Sequence, residues 1–91
     1  MTETRRLLIT GQVQGVGFRY AMTAQARLLG VTGWVRNLRN GSVEAMIAGD
    51  AGQIQEMLAW SREGPTGASV DKVVVETGYG EYADFELRPT A

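Results

Sequence analysis

Val31-Thr32-Gly33-Trp34-Val35-Arg36-Asn37-Leu38-Arg39-Asn40-Gly41-Ser42-Val43-Glu44-Ala45-Met46-Ile47 reads as two strands folded back on one another. Val31 to Leu38 forms the first, with Trp34 and Val35 within it. Arg39-Asn40-Gly41 supplies the turn, because Asn-Gly tolerates the positive φ angles that tight hairpins require. The second strand alternates, with Val43, Ala45 and Ile47 on one face. An antiparallel pair of this kind cannot bury its apolar face alone. The flanking sequence must therefore provide partners.

It does so on both sides. Before the hairpin, Phe18, Met22, Ala26 and Leu29 recur at helical spacing, and Gly30 follows as a helix stop. Farther back, Leu7, Leu8, Ile9 and Val13 mark a strand within Arg5 to Val13. After the hairpin, Asp50 with Gln53 forms a capping box for a helix whose stripe is Ile54, Met57 and Leu58. Trp60 lies at the flank of that stripe, and Gly64-Pro65 ends the helix. Val70 to Glu76 is a β-branched strand with no assignable faces. A turn at Gly78-Tyr79-Gly80 leads to a short last strand with Phe85 and Leu87. The order is β-α-β-β-α-β plus one short strand. It predicts an α+β, ferredoxin-like sandwich, with both helices on one face of an antiparallel sheet. Trp34 is expected in the core.

The 91 residues suffice for one domain, taken as residues 1–91, with a single two-layer core. No apolar run is long enough to cross a membrane. The N-terminal residues pass directly into a strand without an apolar leader. Cysteine is absent, which removes disulfides and thiolate chemistry and favours a cytoplasmic setting. Histidine is absent too, so phosphohistidine chemistry and the usual zinc ligands are excluded. Asp50, Asp71 and Asp84 are scattered among caps and turns without metal-loop spacing. No metal and no cofactor are expected. Ser42, Ser61 and Ser69 lack a local base motif. A formal net charge of -1 argues against a nucleic-acid surface, although arginines gather between Arg5 and Arg39 while acids follow Glu44.

One stretch in that basic half carries chemistry. Gly11-Gln12-Val13-Gln14-Gly15-Val16-Gly17-Phe18-Arg19 joins the first strand to the first helix. Glycines let the backbone bring N–H groups close to an anion, and the first helical N–H groups lack intrahelical partners. Arg19 adds a forked, permanently charged donor. Read alone, the loop is more often a structural βα turn, and Arg19 a solvated helix residue. Asn37 read alone prepares the hairpin. The spacing does not fix how close Asn37 comes to the loop.

Ile9 to Arg19 resembles the first signature of the acylphosphatase family. Gly33-Trp34-Val35-Arg36-Asn37, followed by Gly41, Val43 and Gly49, resembles the second. Both occur in the family's order and spacing, and the resemblance covers nearly the whole chain. Its fold agrees with the order read above. The resemblance implies hydrolysis of the carboxyl–phosphate bond of small acyl phosphates by a single chain, without nucleic acid, membrane or cofactor. It also implies roles: amides of Gly15, Val16, Gly17, Phe18 and Arg19 cradle the phosphoryl oxygens, the Arg19 side chain binds them, and Asn37 orients water. Nothing is carried onto Arg88-Pro89-Thr90-Ala91.

Three other readings compete. An RNA-binding ferredoxin-like module would show paired aromatics on its open face, a pattern that Tyr82 and Phe85 do not reproduce. A purely structural module leaves both motifs without a reason. A small-anion-binding module that does not turn over would use the same loop and Arg19, and would have no need of Asn37.

Overall fold

The computed structural model describes residues 1–91. Strand β1 (Glu3–Gln12) leads into helix α1 (Phe18–Leu29), then β2 (Thr32–Asn37), β3 (Val43–Gly49), helix α2 (Ala51–Glu63), β4 (Ser69–Thr77) and β5 (Phe85–Leu87). The strands lie in the order β4-β1-β3-β2-β5. Each helix returns the chain to the same sheet, leaving a one-strand gap that another strand fills. Thus β3 lies between β1 and β2, and β1 lies between β3 and β4.

Period-two alternation decides which side chains meet the helices. Leu7 and Ile9 of β1, Val35 of β2, Val43, Ala45 and Ile47 of β3, and Phe85 of β5 all turn inward. They pack against Phe18, Met22 and Ala26 of α1 and against Ile54, Met57 and Leu58 of α2. The ends of the helices are fixed locally. Gly30 closes α1, with the Val31 N–H donating to the Ala26 carbonyl at 2.8 Å. Asp50 and Gln53 exchange hydrogen bonds at 2.8 Å each, completing the capping box of α2. Gln53 Nε2 also donates to the Leu29 carbonyl at 2.8 Å, tying the start of α2 to the end of α1.

Three features depart from the sequence expectation. The sheet is antiparallel through β1–β4, but β5 pairs in parallel with β2, so the whole is mixed. After β4, an edge strand paired with β1 on its inner side alone, the chain does not turn back as a hairpin. Residues 78–84 instead cross to the opposite edge, where β5 joins β2. The hairpin turn also differs. Only Gly41 takes a positive φ, of 94°, while the Gly41 N–H donates to the Leu38 carbonyl at 3.1 Å. This is a three-residue loop, and Asn40 contributes its side chain by accepting from the Ser42 N–H at 3.0 Å. Trp34, finally, is buried as expected, at 6 % exposed, but outside the cluster between sheet and helices. Its strand neighbours Gly33 and Val35 face the helices, which forces Trp34 onto the open face. There the guanidinium groups of Arg36 and Arg88 cover it, 4.8 and 4.9 Å from the ring centroid.

The same open face buries Glu44, which accepts from Arg6 Nε and Arg36 Nε at 2.7 Å each. Burial pushes the Glu44 carboxyl up, but the two arginine hydrogen bonds and charges together outweigh it and hold the group below the usual value of 4.5. A depressed carboxylate stabilises the folded chain above its unfolded pKa. That contribution is lost as pH falls from about 4.5 through the lower folded value. Thermal melts of wild type and Glu44→Gln should therefore converge on acidification below that point. Parallel pH dependence in the two proteins would remove Glu44 as the cause.

At Gly33 the β2 backbone runs hard against β3. A Cβ there would sit 1.8 Å from the Met46 carbonyl oxygen, at a φ of 134°. Gly33→Ala is expected to cost about 3 kcal/mol or more through overpacking and backbone strain, read as a shift in urea midpoint at unchanged m-value.

Candidate active site

Strand β1 ends at Gln12, and the chain bends through residues 13–17 before α1 begins. Gly15 and Gly17 adopt φ of 74° and 75°, and no non-glycine residue has a positive φ. A Cβ would meet no atom within 4 Å at either glycine. Their requirement is thus conformational: positive, negative and positive φ in succession across residues 15–17 curl the backbone into a concave run of amides. Gly17 is the helix N-cap and has no side chain to bond the first turn, which also lacks an acidic residue. None of the N–H groups from Gly15 to Tyr20 donates to a protein acceptor. The unpaired amides thus share one short stretch of chain with the positive end of α1.

Phe18 holds that stretch in place. Its side chain is 2 % exposed and meets the Trp60 ring of α2 edge-on, with centroids 5.3 Å apart. Phe18 thus serves as an anchor, and only its backbone is available to a ligand. Val16 packs its side chain partly against the core. Arg19, one residue beyond the anchor, is half-buried and has no carboxylate within 4.0 Å; the ion pairs of the chain involve Arg5, Arg6, Arg36 and Arg88. Its one hydrogen bond runs from Nη1 to the Arg88 carbonyl at 3.5 Å. The charge is therefore restrained without being neutralised.

Asn37 ends β2 beside this loop. A cleft of roughly 200 Å³ is lined by Val13, Gln14, Gly15, Gly17, Phe18, Arg19, Tyr20 and Asn37. The structure thus brings the two sequence motifs together. Arg19 is the single charged residue of the lining. The volume falls below the roughly 300 Å³ at which sites for drug-sized ligands begin. It suits a ligand recognised chiefly through one compact anionic group.

Two contributors went unread in the sequence. Gln14 Nε2 donates to the carbonyls of Leu38 and Ser42 at 2.7 and 2.8 Å. The C-terminal residues run along β2: the Arg88 N–H donates to Val35, the Ala91 N–H to Asn37, and the Arg39 N–H to Ala91. Neither shows a periodic or compositional signal, since both depend on hydrogen bonds between segments distant in sequence.

Residues 5–87 match the family model described as acylphosphatase. The chain belongs to that family. A protein named acylphosphatase from Acaryochloris marina is 47 % identical over 83 residues, covering 90 % of this chain and 89 % of the relative. Another of that name, from Paraburkholderia xenovorans, is 54 % identical over 86 residues, covering 92 % and 89 %. Among solved structures, an acylphosphatase from Coxiella burnetii superposes with a TM-score of 0.92 at 36 % identity, covering 96 % of this chain and 93 % of its own. The family's fold and the observed strand order agree. No helix is long and apolar enough to cross a membrane.

Proposed function

We propose that the cleft carries out acyl phosphate hydrolysis by direct attack of water, with the loop as cradle, Arg19 as phosphate anchor and Asn37 as water holder. The observation that carries this reading is a single cleft lined by Gly15, Gly17, Phe18, Arg19 and Tyr20, whose five N–H groups have no protein acceptor, by the un-neutralised Arg19 guanidinium and by Asn37. The reaction is acylphosphatase hydrolysis: an acyl phosphate and water give a carboxylate and inorganic phosphate. Amides from Gly15 to Arg19 and the Arg19 fork bind the equatorial phosphoryl oxygens, where charge must be held as the transition state forms.

Water held by Asn37 attacks phosphorus in line with the departing carboxylate oxygen. The P–O bond to the acyl group breaks with its electron pair, which leaves on the carboxylate. A proton of the attacking water passes to a phosphoryl oxygen of the substrate itself. A carboxylate leaves at low basicity, so no protein acid is required. Asn37 cannot titrate, and its amide can nonetheless accept from and donate to water. Positioning and charge stabilisation are what phosphoryl transfer asks of a protein.

Every residue in this scheme comes from one chain, so the monomer of residues 1–91 is the proposed catalytic unit. The cysteine-free composition supports a cytoplasmic setting. The non-catalytic anion-binding alternative finds no support in the relatives. Phosphate release from benzoyl phosphate in excess EDTA tests the reading. Turnover should persist undiminished in the chelator. Loss of turnover with EDTA, restored by a divalent cation, would replace direct attack by a metal-assisted route.

A further inference from the structure

We propose that Gln14 is a positioning residue for the hydrolysis, holding the end of β2 against the glycine loop so that Asn37 faces the bound phosphoryl group. The inference rests on the water-holding role of Asn37 given above. Gln14 lies within the loop, one residue before Gly15, while Asn37 lies on the hairpin. The two halves of the site therefore belong to separate segments, and something must fix their separation. Gln14 Nε2 spans that gap, donating to Leu38 at 2.7 Å and to Ser42 at 2.8 Å. Two carbonyl oxygens so placed accept only the NH₂ end of the amide.

The rest of the hydrogen-bond pattern separates this role from two others. The hairpin does not need Gln14 to close. The Ser42 carbonyl already accepts the Leu38 N–H at 2.8 Å, and the Leu38 carbonyl accepts the Gly41 N–H at 3.1 Å. Removing the Gln14 amide would leave neither acceptor orphaned. Nor is Gln14 Nε2 a phosphate donor, since both of its N–H bonds are committed to the hairpin. What is left is the coupling of loop to strand end. Leu38 directly follows Asn37, so a bond to its carbonyl acts one residue from the water-holding side chain.

Loss of this coupling should lower kcat and spare phosphate binding. Gln14→Ala is expected to reduce kcat on benzoyl phosphate by about 10- to 100-fold, the scale set by small misplacements of reacting groups. Inhibition by inorganic phosphate should change by less than about threefold, because the cradle and Arg19 are intact. Gln14→Met, which keeps length and removes both donors, should behave alike and serves if the alanine variant does not fold. The deciding measurement is a double-mutant cycle with Asn37→Ala. If Gln14 acts through Asn37, Gln14→Ala in the Asn37→Ala background should cost less than about twofold. An undiminished cost there, a wild-type kcat in the Gln14 variants, or a loss confined to phosphate affinity would each overturn the proposal alone. A normal kcat in Asn37→Ala itself would overturn the reading of Asn37, and this proposal with it.

Discussion

Arg19→Ala is expected to lower kcat/KM for benzoyl phosphate by about 10³-fold or more, with inhibition by inorganic phosphate lost in parallel. The size follows from what the cleft contains. Arg19 is its only charged residue, and the loop amides carry partial charges alone. No acidic side chain neutralises it, so its full charge is available to the phosphoryl oxygens. The variant also separates anchoring from folding. Arg19 contributes one long hydrogen bond, to the Arg88 carbonyl at 3.5 Å, and its neighbour Phe18 supplies the core contact. The thermal midpoint should therefore move little while turnover collapses. Arg19→Lys should recover only part of the loss, since an ammonium keeps the charge but cannot bind two oxygens through a planar fork. Near-normal kinetics in Arg19→Ala would sink the anchor assignment.

How far the sequence could be read depends on the range of the forces involved. Helix stripes, the capping box of Asp50 and Gln53, and the alternation in β3 are local, and they fall where spacing places them. The glycine loop is local too, because Gly15 and Gly17 adopt conformations that other residues resist. Trp34 is buried, as a large apolar side chain suggests, but which side of the sheet buries it is decided by Gly33 and Val35. The arginines that cover it come from β2 itself and from Arg88, far along the chain. Strand β5 shows the same limit: Phe85 and Leu87 signal a strand, but nothing local in them says which of the two free sheet edges it joins. Asn37 was identified by resemblance, and its approach to the loop required the topology. Gln14 and the C-terminal residues act through backbone carbonyls, which carry no identity in the sequence.

Asn37→Ala should give the opposite kinetic pattern from Arg19→Ala. A group that orients water contributes in the transition state and little to ground-state phosphate binding. Its removal should therefore lower kcat by about 10²- to 10³-fold and leave inhibition by inorganic phosphate within about threefold of wild type. The backbone of Asn37 is held independently of its side chain: its carbonyl accepts the Ala91 N–H at 3.0 Å, and β2 pairs with β3 through Asn37 and Val43. Truncation should thus leave the strand end in place. Asn37→Asp sharpens the test, since it keeps the acceptor oxygen, loses the NH₂ donors and sets a negative charge beside an anionic substrate. If Asn37 orients water while bearing no charge, the aspartate variant should bind phosphate more weakly than the alanine variant does. Should Asn37→Ala instead lose phosphate affinity at unchanged kcat, the side chain belongs to the cradle, and water must be held by the substrate and the loop amides.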